Sequence, residues 1–347
     1  MIGIVTVFYS ENYGSVLQAF ALRKYITKLG HEAVYLNTRN NHSSHSLKNT
    51  IMSVGFKLLH LDISNALLKI KKYKNFERTL KNFSYIDYSK ENDNFELIII
   101  GSDTVWDVDA KYFLASQPLF WLRSMSDTPV ISYAASVANS SKERLVRLKY
   151  PKECLNNLSG ISVRDKYSFD VISSIASKKV HLVCDPTLLL KMSDYDDLVV
   201  NVSENKYAAV YLFEDINDDL IRQIKEWSYN TGIKLISICK KLKWCDTVIE
   251  PSVENFISYI KNAEYVITNT FHGTIFSIIF EKQFISLGKK KKKISEFLSM
   301  LKLTNRIYDG SKAQVIQIED KIDYNVIGKR LEDIRKQSYE YLNQYLQ

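Results

Sequence analysis

Short apolar runs rich in β-branched residues recur along the chain, and each ends in a small polar cluster. Ile2 to Phe8 opens the series; Ala33 to Leu36, Glu96 to Ile100, Val130 to Tyr133, Gly160 to Val163 and Val180 to Cys184 continue it. Runs of this length without alternation predict strands buried on both faces, as in a parallel sheet. Between the first two, Ser15 to Leu29 carries apolar residues at Val16, Leu17, Phe20, Ala21 and Ile26 and is closed by Gly30, which predicts a helix. Asn40 to Tyr88 is polar and lysine-rich and predicts a helical excursion over the sheet. A second series has strands at Tyr207 to Phe213, Lys234 to Ile238, Tyr265 to Ile267 and Phe284 to Leu287, with helices at Asp218 to Thr231, Val253 to Asn262 and Ile294 to Leu301. The tail, Tyr324 to Leu346, predicts a helix whose stripe of Ile327, Leu331, Ile334, Tyr341, Leu342 and Tyr345 is interrupted only by Ser338.

Strands alternating with helices predict an α/β fold. Two such series predict two Rossmann-like lobes with a cleft between them, residues 1–190 and 191–323. The acidic, poorly periodic stretch Ser193 to Asn205 reads as the linker. Residues 324–347 form the terminal helix, expected to return to the N-terminal lobe.

Composition narrows the partners. The 347 residues are 46% hydrophobic and 25% charged, as in soluble globular proteins, and carry a net charge of +8. That charge favours acidic partners such as phosphorylated small molecules, lipid head groups or nucleic acid. The basic run Lys289 to Lys293 lacks interleaved aromatics, which argues against nucleic acid, and reads as a solvated loop or a phosphate-facing one. Cys154, Cys184, Cys239 and Cys245 have no zinc-site spacing, and His42 and His45 have no acidic or thiol companion, so no metal is expected. The apolar start, Met1 to Val7, has no basic segment before it, and no run approaches the roughly 20 apolar residues of a membrane span. A cytoplasmic protein able to touch the inner face of a membrane is expected.

Candidate chemistry lies where strands end. Thr268 to Thr274 reads strand, turn, helix, and puts His272 near a strand's carboxyl end and a helix's amino end, the edge where open α/β sheets bind ligands. Gly101-Ser102-Asp103 with Trp106 sets a carboxylate beside an indole, suited to a sugar ring and its hydroxyls, or else to a helix cap beside a core tryptophan. Asn12-Tyr13-Gly14 with Ser15 and Gln18 lies in the first strand–helix loop and suits an anion, a sugar or a plain capped turn; it is not a dinucleotide fingerprint. Arg164 offers a guanidinium for an anion or a structural ion pair. Asp185-Pro186-Thr187 reads as a rigid turn entering the linker.

Six motifs in order, namely Asn12-Tyr13-Gly14 with Gln18, Gly101-Ser102-Asp103 with Val105-Trp106, Ser132 to Ser136, Ser162 to Asp165, Asp185-Pro186-Thr187 and Thr270 to Thr274, resemble the polysaccharide pyruvyl transferase family from residue 3 to about 306. The resemblance implies a GT-B type fold. It also implies transfer of a pyruvyl group from phosphoenolpyruvate to a sugar of a bacterial polysaccharide or its precursor, such as an exopolysaccharide or capsule. The product would be a cyclic ketal on two hydroxyls, with phosphate released, and since phosphoenolpyruvate needs no redox cofactor, none is expected. It makes the N-terminal lobe the acceptor side, with Asn12, Tyr13, Gly14, Ser102 and Trp106 facing the sugar. The C-terminal lobe becomes the donor side, where Thr270, Gly273 and Lys293, together with Arg164, hold phosphoenolpyruvate. His272 and Asp103 would be the catalytic pair. Some better-understood members carry Arg-Leu before the histidine, and members often carry an arginine before the Ile294-like position; here these are Thr270-Phe271 and Lys293. Two other readings stay open: a sugar-nucleotide glycosyltransferase on the same fold, and a catalytically silent saccharide-binding protein. The acceptor's carrier, lipid or otherwise, and the oligomeric state are left open too.

Overall fold

The apolar runs fold as parallel strands. In the structure, a computed structural model, residues 1–37, 50–57, 63–88, 94–110, 117–121, 127–239, 241–288, 291–308, 310 and 321–347 are described. His42, His45, His60, Lys289 and Lys290 lie outside them. The chain divides into two units: Met1–Asn49, Arg78–Leu190 and Asp333–Gln347 make the first, Thr50–Glu77 and Lys191–Glu332 the second.

The first unit is built on β1 (Ile2–Val5), β2 (Ala33–Asn37), β3 (Tyr85–Asp87), β4 (Leu97–Ile100) and β5 (Val130–Ser132), in the order β3-β2-β1-β4-β5. β1 pairs in parallel with both β2 and β4, Ile2 facing Ala33 on one side and Leu97 on the other. Both faces of β1, β2 and β4 are buried, which is why their sequences do not alternate. β6 (Ile161–Val163) and β7 (Val180–Leu182) form a separate parallel pair. They join β5 through two serines: Ser162 N donates to Ser132 Oγ at 2.9 Å, and Ser162 Oγ donates to Ser132 O at 2.8 Å. Hydroxyls here stand in for part of a backbone ladder, which explains small polar residues at buried strand positions.

The second unit repeats the plan with β8 (Tyr207–Tyr211), β9 (Lys234–Ile238), β10 (Thr247–Val248), β11 (Tyr265–Thr268) and β12 (Gln283–Ser286), in the order β10-β9-β8-β11-β12, all parallel. Its helix Asp218–Thr231 buries Leu220, Ile224 and Trp227, capped by Asn217 and ended by Gly232 in the left-handed region at φ 65°. Each unit is thus a Rossmann-like α/β layer, the architecture of the GT-B type.

Three readings of the sequence change. The stretch expected to be a linker contains a 3-10 helix, Met192–Leu198, in which Tyr195 is buried with its ring edge-on to Phe276, centroids 5.3 Å apart. One aromatic anchor outweighs its polar neighbours. The helical excursion divides: Tyr85–Asp87 joins the first sheet, whereas 50–77 groups with the second unit. There Asn75 Nδ2, on the helix Ile63–Leu80, donates to Glu250 Oε1 at 3.0 Å and Pro251 O at 3.1 Å. The first helix, Tyr13–Lys28, starts ahead of Ser15 because Asn12 caps it, accepting from Gly14 N at 2.9 Å. The terminal helix, Tyr324–Asn343, starts in the second unit and belongs to the first from Asp333 on. In the second, Arg330 Nη1 donates to Leu301 O at 2.7 Å; in the first, Tyr341 OH donates to Ser132 O at 2.8 Å. Ser338, the one polar residue in its stripe, is fully buried and accepts from Cys184 N at 2.8 Å.

Candidate active site

Both sheets reverse their winding at one point: between β1 and β4 in the first unit, between β8 and β11 in the second. Loops leaving neighbouring strands in opposite directions open a crevice at such a point, and ligands of open α/β sheets bind there. The candidate residues cluster at these two points.

In the second unit the polar turn is shorter than the sequence suggested. β11 ends at Thr268, Thr270 caps the next helix, and the helix begins at Phe271. His272 therefore sits in the first helical turn and is partly exposed. Two hydroxyls shape this corner. Thr270 Oγ1 accepts from Gly273 N at 2.9 Å and lies 3.0 Å from Thr268 Oγ1, which donates to Tyr211 O at 2.8 Å. A Cβ at position 273 would lie 2.3 Å from Thr268 Oγ1 and 2.6 Å from Thr270 Oγ1, so only glycine fits. Asn269 ties the β11 loop to the β8 loop: Oδ1 accepts from Phe213 N and Nδ2 donates to Glu214 O, both at 2.9 Å. Lys291 closes the third side. Its Nζ donates to Asn269 O at 2.9 Å and pairs with Glu214 Oε1 at 2.8 Å. Lys293 lies in the first turn of Lys292–Met300, whose Phe297 meets the Phe271 ring at 6.1 Å between centroids. Thr270, His272 and Gly273 therefore occupy one corner at a helix N-terminus, and Lys293 lies in the first turn of a helix packed against it through Phe297 and Phe271.

In the first unit Asp103 lies at the switch point, with its backbone in the left-handed region at φ 72°. Its neighbour Gly101, at φ 120°, has no room for a side chain, since a Cβ would meet Tyr133 O at 2.2 Å. Asp103 Oδ2 accepts from Ser15 Oγ at 2.6 Å, and Oδ1 accepts from Thr104 N at 2.9 Å. Arg164 bridges two carboxylates: Nη2 is 3.2 Å from Asp103 Oδ1, and Nη1 is 2.9 Å from Asp185 Oδ2. Burial pulls the guanidinium down, but Asp103, Asp185 and Asp165 hold it above its ordinary value, so it stays charged.

Several expectations are corrected here. Arg164 is buried between two acids of the first unit; its charge is spent within the protein and does not stand ready for a donor. Trp106 is core: fully buried, stacked on Trp121 at 5.1 Å, with its indole N–H donating to Phe120 O at 3.1 Å. Its apolar area is worth more under the loop than on the surface. Tyr13 and Ser102 are likewise fully buried, and Ser102 Oγ accepts from Asp103 N at 2.5 Å. Asn12 and Gly14 make the helix cap. Asp185 is no mere turn residue, since it holds Arg164 and also accepts from Thr187 Oγ1 at 2.7 Å. Sequence reasoning missed Asp185, Ser15, Asn269 and Lys291. Each lies inside a motif already singled out, but only contacts across distant loops give them a role.

Among the described residues, no group of three or more His, Cys, Asp and Glu side chains is placed to hold a metal ion, and no helix is long and apolar enough to cross a membrane. A profile of the polysaccharide pyruvyl transferase family matches residues 12–290. No curated protein matches the chain. Solved structures share its fold. A putative UDP-N-acetylglucosamine 2-epimerase from Listeria monocytogenes is 7% identical, with a TM-score of 0.56, covering 99% of this chain and 97% of its own. The UDP-GlcNAc 2-epimerase of Methanocaldococcus jannaschii is 13% identical, with a TM-score of 0.55, covering 96% and 98%. Arabidopsis thaliana UGT89C1, complexed with UDP-L-rhamnose, is 10% identical, with a TM-score of 0.51, covering 99% and 98%. At these identities the likeness concerns the fold.

Proposed function

Because the chain belongs to the polysaccharide pyruvyl transferase family, we propose that it transfers the pyruvyl group of phosphoenolpyruvate to two hydroxyls of a sugar acceptor, forming a cyclic ketal and releasing phosphate. The observation that carries this reading is His272, in the first turn of the helix after β11, at the switch point of the second sheet. An imidazole can both give and take up a proton, which suits proton transfer. Thr270 and Gly273 share its corner, Lys293 opens the helix packed against it, and free N–H groups of helix starts favour an anion there.

In this scheme His272 delivers a proton to the donor's methylene carbon, and C2 becomes electrophilic. A sugar hydroxyl oxygen bonds to C2, and its proton restores the imidazole. The C2–O bond to phosphate then breaks, phosphate leaving with the electron pair. The neighbouring hydroxyl adds to C2, its proton leaves on phosphate, and the ring closes. Lys293 and the helix N–H groups hold the donor's carboxylate and phosphate. Asp103, with three hydrogen bonds already on its carboxylate, orients the acceptor loop, and Arg164 and Asp185 keep it in place. Asn12 is the partly exposed residue of that loop proposed to meet the sugar.

Phosphate release from phosphoenolpyruvate, screened against a panel of glycan acceptors, tests the reading. His272→Ala should lower turnover by about two to four powers of ten. Near-normal turnover in that variant would remove the proton-transfer role. Thermal stabilisation by phosphoenolpyruvate, without stabilisation by nucleotide sugars, separates it from a glycosyltransferase.

A further inference from the structure

Large apolar side chains crowd the surface of one segment of the second unit. Ile51, Met52, Phe56, Ile63 and Leu67 are each between 56 and 67% exposed. The other exposed large hydrophobics among the described residues are scattered from Leu29 to Val326. Scattered ones need no explanation; five within so short a stretch do.

The first three lie on the helical residues 50–57, where Met52 and Phe56 are one turn apart and share a face. The other two open the helix Ile63–Leu80. That helix has a clear inner side, with Ala66, Asn75, Phe76, Thr79 and Leu80 buried. Its exposed positions are Ile63, Ser64, Leu67, Lys71, Lys74 and Arg78, following the helical period. The outer stripe is thus apolar at its start and basic further along. Of the charged residues at positions 50–77, Lys57, Lys69, Lys71, Lys72 and Lys74 outnumber Asp62 and Glu77. Lys71 has Glu250 Oε2 at 3.7 Å, and both side chains are more than half exposed.

Apolar side chains at one end of an outward face and lysines along the rest are the pattern of a helix lying in a membrane interface. A protein partner would bury the apolar end equally well. It would have no general reason to match a lysine stripe whose charge has the sign of the whole chain, +8. An anionic bilayer matches both, because lysine stems lie along apolar surface while their ammonium groups reach phosphates. No described helix is long and apolar enough to span, so the contact is interfacial. We propose that Ile51, Met52, Phe56, Ile63 and Leu67, flanked by Lys71 and Lys74, dock the second unit on an anionic phospholipid surface. This holds whichever donor the active site uses.

The test is sedimentation of the full chain with vesicles of phosphatidylcholine alone or mixed with phosphatidylglycerol. The wild-type protein should partition onto the mixed vesicles and be partly released by salt, because lysine–phosphate attraction is screened. Replacing Lys71 and Lys74 together by glutamine should weaken partition roughly 25-fold, about fivefold per lysine. Met52→Ser, Phe56→Ser and Leu67→Ser combined should weaken it by about tenfold or more on the same vesicles. All these positions are exposed, so both variants should keep the wild-type melting temperature. Equal partition of wild type and variants, or none by the wild type, would overturn the proposal. So would a wild-type dimer, seen by light scattering, that the serine variant dissolves without change in vesicle binding; the face would then meet a second copy.

Discussion

Asp185→Asn tests the most consequential correction, the pairing of Arg164 inside the first unit. The side chains of Arg164 and Asp185 are 5% and 1% exposed, and Asp103 is 11% exposed. The substitution leaves the shape nearly unchanged but removes one of the two carboxylates paired with the guanidinium. Breaking a buried ion pair from one side costs about 3–5 kcal/mol, because the remaining charge stays desolvated. Arg164 keeps Asp103 at 3.2 Å, which argues for the lower end, about 3 kcal/mol. For a unit of roughly 150–250 residues each kcal/mol moves the melting temperature by about 2–4 °C, so a fall of about 6–12 °C is expected. Urea melts of four proteins close a double-mutant cycle: wild type, Asp185→Asn, Arg164→Met and the double variant. With Arg164 replaced, Asp185 faces no cation and its loss should cost under about 1 kcal/mol. If Asp185→Asn costs the same in both backgrounds, or lies within about 0.5 kcal/mol of wild type, the two residues are not coupled and the buried triad has no energetic reality.

Two further outcomes follow from the packing. Gly273→Ala drives a methyl group into the Thr268 and Thr270 hydroxyls, both fixed by other hydrogen bonds, and should destabilise by about 1–3 kcal/mol and cut turnover. Wild-type stability and rate would mean that the corner is loose. Burial pushes the Cys154 thiol up to about 12 and, as the main cause among smaller contributions from its neighbours, leaves the Cys184 thiol at about 11. Both should stay thiols and resist iodoacetamide at pH 8 until the protein unfolds; rapid labelling under native conditions would contradict their burial.

The strands, the alternation with helices and the division into two series are written in local sequence. A parallel strand buried on both faces must be apolar throughout, and a helix must repeat near every fourth residue. His272 was legible for the same reason, since strand, short polar turn and helix follow one another within a few residues. The role of Arg164 was not. A guanidinium at a strand end reads equally as an anion ligand or as half of an ion pair until Asp103 and Asp185, brought in by two other strand ends, are seen to hold it. Trp106 looked like a sugar platform because local sequence does not say which way an indole turns; Trp121 and the Phe120 carbonyl decide that. Tyr195 and residues 50–77 show the same limit, since a polar stretch is assigned by the one contact that buries it. Local spacing set the elements and put the histidine at a sheet edge. The tertiary structure decided which charges neutralise one another, because the cost of a buried charge depends on partners that lie far away along the chain.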